Sequence, residues 1–165
     1  IIQMHYYKGD NPEGTTDQSG YTFRTTDQVE HVAQMFPFGF QDFTIPAGDA
    51  AYTKTTSLSL PMDLKIWGMF PHMHVLGTAY KTWIEHEDGD STCLAESKHY
   101  DFENQLQYIY EFDEELNQDD TLKISCTWNN SPSNPDLIHN PPIDIGYGER
   151  TDEEMCYAFG LVSFN

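Results

Sequence analysis

Two histidines in the segment from Phe70 to Gly77 carry the clearest chemical signal of this 165-residue chain. His72 and His74 are separated by one residue. In an extended strand, residues two apart point to the same side and lie roughly 6 to 7 Å apart, so both imidazoles can reach one metal ion. The same spacing also occurs by chance and in histidines that only pack or form hydrogen bonds. On its own, the pair is therefore a moderate indication of a metal site.

A second cluster of reactive residues lies near the C-terminal end, where Met155 precedes Cys156. Strand neighbours face opposite ways, so a disulfide on one face can anchor the backbone that holds a thioether on the other. Three cysteines allow three pairings. We favour Cys126 with Cys156, since both flank the same long loop on predicted core strands, whereas Cys93 follows a turn. Three reduced thiols, and a methionine that only fills a gap in the core, remain the alternatives.

The elements that must position these residues are strands. Residues 122–128 alternate cleanly, which places Leu122, Ile124, Cys126 and Trp128 on one face of a half-buried strand. No segment shows a long helical period, and residues 129–150, rich in Pro, Asn and Gly, are typical of a long irregular loop. We therefore predict an all-β fold, an antiparallel β-sandwich of jelly-roll type. The other predicted strands are Ile1–Tyr7, Tyr52–Leu60, Leu64–His74, Ala79–Glu87, Gln105–Glu111 and Met155–Phe164.

Composition limits the classes of partner. Twenty-seven acidic residues against eight basic ones give a net charge of −19, which repels phosphate backbones and anionic lipid head groups. We therefore expect neither nucleic acid nor a membrane as a partner, and no stretch approaches the length of an apolar membrane span. The acidity itself is typical of a well-solvated surface. A hydrophobic content of 38% is sufficient for a folded core.

Three motifs together resemble the C-terminal domain of the copper type II ascorbate-dependent monooxygenases, a family that includes dopamine beta-monooxygenase and peptidylglycine alpha-hydroxylating monooxygenase. They are His-Met-His-Val-Leu-Gly at residues 72–77, Ser-Cys-Thr-Trp-Asn-Asn at 125–130 and Asp-Glu-Glu-Met-Cys at 152–156. Ile-Pro-Ala-Gly at 45–48 is also similar to a turn of that family. The resemblance implies that residues 11–165 form this domain. Residues 1–10 would be the end of a truncated N-terminal copper domain or a linking strand.

The resemblance implies that His72, His74 and Met155 bind the copper at which O2 is reduced, with ascorbate as the electron donor. The donor chemistry agrees, because two imidazoles and a soft thioether suit cuprous copper, whereas Ca²⁺ or Mg²⁺ would require oxygen ligands. Zinc is the competitor, although methionine is an unusual zinc ligand. By the same resemblance, His5 is one of three histidines that bind a second copper, and the other two lie on the missing domain. The isolated chain is then expected to load one copper and to turn over poorly.

Departures from the family restrict the substrate. Peptide-amidating members carry an arginine where this chain has Phe70, and a tyrosine where it has Phe159. The clamp for a substrate carboxylate and one hydroxyl donor are therefore missing. We expect a weakly polar substrate pocket lined by Phe70, Tyr157 and Phe159, for a small-molecule or peptide-like organic substrate. These residues can equally be ordinary core aromatics.

The resemblance predicts an enzyme that uses O2 to hydroxylate a C–H bond of its substrate. A copper-binding module without catalysis, for storage or delivery, would use the same ligands, and a structural β-sandwich would bind no metal. A disulfide together with a secreted type of copper enzyme suggests an extracellular or periplasmic location.

Overall fold

The computed structural model describes residues 16–164, and they fall into two units divided after Glu30. Residues 16–30 are exposed and contain no helix or strand. The predicted strand Ile1–Tyr7, the predicted ligand His5 and the predicted boundary at residue 10 lie outside the described residues. Within residues 16–164, no helix has the length and apolar character needed to cross a membrane.

The regular secondary structure of the second unit, described over residues 31–164, consists of ten strands. A single turn of 3₁₀ helix, Phe102–Asn104, interrupts them. The strands are β1 (Gln34–Gly39), β2 (Thr44–Ile45), β3 (Tyr52–Leu58), β4 (Leu64–Met73), β5 (Gly77–Glu85), β6 (Ser91–Ser97), β7 (Tyr108–Leu116), β8 (Thr121–Trp128), β9 (Ile145–Gly146) and β10 (Cys156–Phe164).

Two four-stranded antiparallel sheets form a sandwich, which confirms the predicted all-β class. The first sheet has the order β1-β10-β4-β7 and the second has the order β3-β8-β5-β6. β2 and β9 pair separately. The core between the sheets is apolar and includes Ile66 and Met69 from the first sheet and Tyr80 and Ile124 from the second. This connectivity is compatible with the jelly-roll type.

The burial pattern of β8 follows the predicted alternation. Leu122, Ile124, Cys126 and Trp128 are buried, and the residues between them are half-buried. β10 alternates in the same way from Cys156 to Gly160. Side chains that alternate with a period of two therefore divide each strand into an inward and an outward face.

Four strands, β1, β2, β6 and β9, were not predicted from the sequence, and a local physical reason is visible for β1, for β6 and for the later start of β7. β1 was not predicted because it contains Pro37, which an edge strand tolerates and a central strand does not. In β6 a register shift at its pairing with β5 leaves two successive residues, Leu94 and Ala95, buried, so that the alternation is broken. β7 begins at Tyr108 instead of Gln105, because the 3₁₀ turn capped by the Asp101 side chain precedes it.

The long loop predicted at residues 129–150 is present and is fixed to the sandwich at its start. The buried Asn130 side chain donates to the carbonyl oxygens of Pro46, at 3.1 Å, and Ile143, at 2.8 Å. Its backbone N–H donates to the carbonyl of Asp49. Asn130 thus connects the beginning of the loop to its far part and to the turn after β2. These bonds fix the path by which the chain returns to β10.

A disulfide joins Cys126 to Cys156, the pairing that the sequence favoured. It connects β8 of the second sheet to the first residue of β10 in the first sheet, with the two Cα atoms 6.0 Å apart. Both cysteines are completely buried, whereas Cys93 is free and exposed. The start of β10 is therefore covalently attached to the opposite layer.

Replacing both bridged cysteines, as Cys126→Ala/Cys156→Ala, is expected to lower the free energy of unfolding by about 3 to 4 kcal/mol, because the unfolded chain is released from a closed loop. Urea unfolding at 25 °C measures this change. The matched control, Cys93→Ala, should change stability by less than about 0.5 kcal/mol. Equal stability of the double variant and the unaltered chain would contradict the expectation.

Candidate metal centre

The pairing of β4 with β10 places four of the predicted site residues on one face of the first sheet. Tyr157 pairs with His72 and Phe159 pairs with Phe70. Cross-strand partners share a face, and residues two apart on a strand share it as well. All four side chains are half-buried. The residues between them, such as Met73, point into the core and are fully buried.

His72 and His74 lie next to each other on this face. Their ring centroids are 5.2 Å apart and the ring planes are nearly perpendicular, at 87°. His72 also lies against Phe159, with 6.0 Å between centroids, and His74 lies against Phe102 at the same distance. Within residues 16–164, no group of three or more His, Cys, Asp and Glu side chains can hold a metal ion.

Hydrogen bonds leave the same ring nitrogen of both histidines available. Nδ1 of His74 lies 2.9 Å from the backbone carbonyl oxygen of Glu153, and Nδ1 of His72 lies 2.9 Å from Oε1 of Gln105. The Gln105 amide nitrogen donates to the carbonyl of Phe102, which fixes its oxygen towards His72. Because a carbonyl oxygen only accepts, the single proton of each neutral ring is on Nδ1, and Nε2 keeps its lone pair. Both imidazoles thus have the tautomer that binds a metal through Nε2.

Burial lowers the pKa of His74 below 6.5, and the neighbouring His72 lowers it further. The hydrogen bond to the Glu153 carbonyl acts in the opposite direction. His74 is therefore neutral at pH 7, and the neutral imidazole is the form that binds a metal.

Met155 lies at the entrance to β10, immediately before Cys156, and is half-buried. Cys156 pairs with Met73. Met155 and His74 are therefore the next residues beyond this pair, one on each chain segment. If the alternation of β10 continues to Met155, its side chain shares the face of Tyr157 and His72. The structure places His72 and His74 together at one end of this sheet face, and the membership of Met155 in the ligand set stays a prediction.

Glu154 was quoted within the acidic motif but received no role from the sequence. It is 1% exposed, and its carboxylate accepts four N–H groups, which come from His74, Leu76, Met155 and Trp128. Burial raises the pKa of the Glu154 carboxyl to about 7, while these hydrogen bonds oppose the rise. A signal was present in the sequence, because Glu154 is two residues before Cys156 and therefore shares its inward face. A buried acid requires donors around it.

The aromatic residues that were predicted to line a substrate pocket lie near the histidines. The rings of Tyr157 and Phe159 stack, with centroids 5.7 Å apart and planes 17° from parallel. The Tyr157 hydroxyl accepts a hydrogen bond of 2.8 Å from the Gln41 amide. These rings provide an apolar surface beside His72. Gln105, which orients His72, was not singled out from the sequence, and no local pattern marks it.

Comparison with known proteins places these residues in a family. The model of the family described as "Copper type II ascorbate-dependent monooxygenase, C-terminal domain" matches residues 41–161. Among curated proteins, the dopamine beta-hydroxylase of Canis lupus familiaris is 24% identical over 171 residues, which cover 96% of this chain and 26% of the relative. The chain thus spans about a quarter of the length of that relative.

In the metal-free protein, His74 is expected to titrate below pH 6.5 as its Nδ1–H tautomer, because burial disfavours the charged ring. In His72→Gln its pKa should rise, since a neighbouring positive charge is removed, but should stay below 6.5 because burial is the larger cause. Long-range ¹H–¹⁵N NMR spectra over a pH series report both the pKa and the tautomer. A pKa above 6.5, or an Nε2–H tautomer, would show that the ring environment described above is wrong.

Proposed function

Because the chain belongs to the copper type II ascorbate-dependent monooxygenases, we propose that it is the domain of such an enzyme at which O2 is activated to hydroxylate a C–H bond. The proposed copper ligands are Nε2 of His72, Nε2 of His74 and the sulfur of Met155. The observation that carries the proposal is the pair of imidazoles 5.2 Å apart, each with its Nδ1 already bonded to an acceptor.

The donor set fits copper better than other common ions. Two neutral imidazoles and a thioether form a soft, uncharged ligand set, which suits Cu(I) and is unsuited to Ca²⁺ or Mg²⁺. Zinc accepts imidazole but rarely methionine. When bound, copper would supply one-electron reduction of O2, with electrons that come from ascorbate in this family.

The protein's own residues contribute orientation and an apolar surface. The Glu153 carbonyl and the Gln105 amide fix the two rings, and acceptors of this kind make the opposite ring nitrogen a better ligand. Phe70, Tyr157 and Phe159 lie on the same face and would pack against the carbon skeleton of an organic substrate. None of them carries a positive charge, so we do not expect this face to bind a substrate carboxylate. Glycine-extended peptides should therefore be poor substrates.

The complete enzyme is proposed to need a second, N-terminal copper domain. Support comes from the relative, of whose length this chain covers about a quarter. His5, which the family resemblance assigns to the second copper, lies outside the described residues. With only one copper present, the isolated chain would lack one of the two electron donors that a monooxygenase turnover needs.

An extracellular or periplasmic location is proposed for this domain. The Cys126–Cys156 disulfide supports it, because disulfides persist in oxidising compartments and are rare in the cytosol.

We propose neither nucleic acid nor an anionic membrane surface as a partner, because the net charge of −19 repels both.

Copper loading tests the ligand set. The chain is expected to bind one Cu(I), and His72→Ala or His74→Ala should abolish tight binding, because two ligands are too few to hold the ion. Met155→Leu should weaken Cu(I) binding by about tenfold or more, which is the equivalent of 1.4 kcal/mol, and leave Zn²⁺ binding unchanged. Competition titrations with a Cu(I) chelator and elemental analysis measure these quantities.

The matched control for loading is His99→Ala, since His99 is an exposed histidine that is not among the proposed ligands. It should bind copper like the unaltered chain. Absence of copper in the unaltered chain would refute the proposed metal centre, and two tightly bound coppers per chain would refute the single site.

Catalysis is tested separately from binding. The copper-loaded chain should consume O2 slowly with ascorbate and an apolar organic substrate, and joining it to an N-terminal copper domain of the family should raise the rate and give hydroxylated product. An oxygen electrode and mass spectrometry of the product provide the measurement. If the joined protein holds copper in both domains but forms no product, the chain is a copper storage or delivery module instead.

A further inference from the structure

The carboxylate of Glu154 connects the two chain segments that carry the proposed ligands. Its Oε2 accepts the backbone N–H of His74 at 3.0 Å and the backbone N–H of Met155 at 3.2 Å. The regular ladder between β4 and β10 ends one residue earlier, at the pair Met73 with Cys156. Beyond that pair, a single side-chain oxygen links the backbones of the two segments.

The same carboxylate is attached to the core and to the turn after β4. Oε2 also accepts the indole N–H of Trp128 at 2.9 Å, and Oε1 accepts the backbone N–H of Leu76 at 2.7 Å. Trp128 is completely buried in the second sheet and stacks on Phe43, with ring centroids 5.0 Å apart. The carboxylate therefore holds the ligand segments against a part of the fold that is itself fixed by packing.

Only a carboxylate satisfies this set of donors. Four N–H groups point at it, and an ionised carboxylate offers acceptor positions on both oxygens and no proton of its own. A glutamine side chain has one oxygen and one NH2 group. In either orientation, the NH2 group would face at least one N–H and leave it without an acceptor in the interior.

We propose that Glu154 is a positioning residue of the metal centre, whose buried carboxylate holds the backbones of His74 and Met155 in the relative position that binding of the ion requires. This inference rests on the proposed function, because it assumes that the two residues are ligands. Glu154 itself does not touch the metal or the substrate. It acts through the hydrogen bonds that place the segments that do.

The test is Glu154→Gln in the chain described here, measured by Cu(I) affinity and by X-ray absorption of the Cu(I)-loaded protein. Partners that orient metal ligands typically contribute 10- to 100-fold to affinity, so the Cu(I) dissociation constant should rise by about that factor. The sulfur contribution to the absorption spectrum should weaken, because the Met155 segment loses its fixed position, while the imidazole contribution remains. A loss of stability alone would not produce this spectral change.

Two control variants separate positioning from charge and from stability. Asp152→Asn removes one negative charge two residues away, where the side chain pairs with Arg150, and should leave Cu(I) affinity unchanged. Ile124→Val lowers stability in the core of the second sheet and should also leave it unchanged. If either variant weakens Cu(I) binding as much as Glu154→Gln, the inference is wrong.

A third variant, Glu154→Asp, keeps the charge but withdraws the carboxylate by one methylene. Positioning predicts that it weakens Cu(I) binding and the sulfur signal like Glu154→Gln. Affinity equal to that of the unaltered chain would overturn the inference in favour of a purely electrostatic role. If the unaltered chain binds no Cu(I) at all, the proposed function fails, whereas normal Cu(I) binding by Glu154→Gln refutes the role of Glu154 alone.

A measurement on the unaltered chain applies even if the variants do not fold. The amide protons of His74, Leu76 and Met155 and the indole proton of Trp128 should be protected from hydrogen exchange in the metal-free protein. Their protection should change little when Cu(I) is added, because the segments are already in place. Rapid exchange that becomes slow only with Cu(I) would show that the metal, and not Glu154, orders the site.

Discussion

The register between β4 and β10 is the constraint on which the proposed site depends. Pairing of Cys156 with Met73 sends both of these side chains into the core and leaves His72 opposite Tyr157 on the other face. A slip of either strand by one residue would invert the two faces of that strand. If β4 slipped, His72 would enter the core, and if β10 slipped, Cys156 would lose contact with Cys126. The disulfide, the apolar core and the donor face are thus three consequences of one pairing, and each of them stabilises the others.

Beyond the end of this ladder, the backbones of the two segments are joined through the buried carboxylate of Glu154 instead of by strand pairing. Burial of the Glu154 carboxyl group is unfavourable for its charged form and raises its pKa to about 7. The cost is offset because the carboxylate accepts hydrogen bonds from four N–H groups. The disulfide of Cys156 lies two residues after Glu154, on the same inward face. Met155 therefore stands between a residue fixed by hydrogen bonds and a residue fixed by a covalent bond. The local sequence Glu-Met-Cys therefore has a structural reason for its acid and for its cysteine.

Period-two patterns predicted the strands that cross the middle of the sandwich, because their residues alternate between core and surface. They failed where this alternation is interrupted, as at the bulge beside Leu94 and Ala95, and where an edge strand accepts Pro37. The disulfide could be predicted because its two cysteines stand at the two ends of one long loop. The contacts of Gln105 and Glu154 could not be predicted, because each depends on segments more than thirty residues away that only the folded register brings together.

If Met155 is the proposed thioether ligand, the anchors around it have a clear purpose, because a thioether is demanding to position. Its side chain has three rotatable bonds, and fixing a long flexible side chain costs about 1.5 to 2 kcal/mol. Since 1.4 kcal/mol corresponds to a tenfold change in affinity, this cost alone weakens binding by about 10- to 30-fold. Further freedom in the backbone would add to it. The two imidazoles need less support, because each ring has only two torsions and one nitrogen already bonded. A buried carboxylate therefore has its largest effect on affinity when it fixes the backbone of the weakest and most flexible ligand.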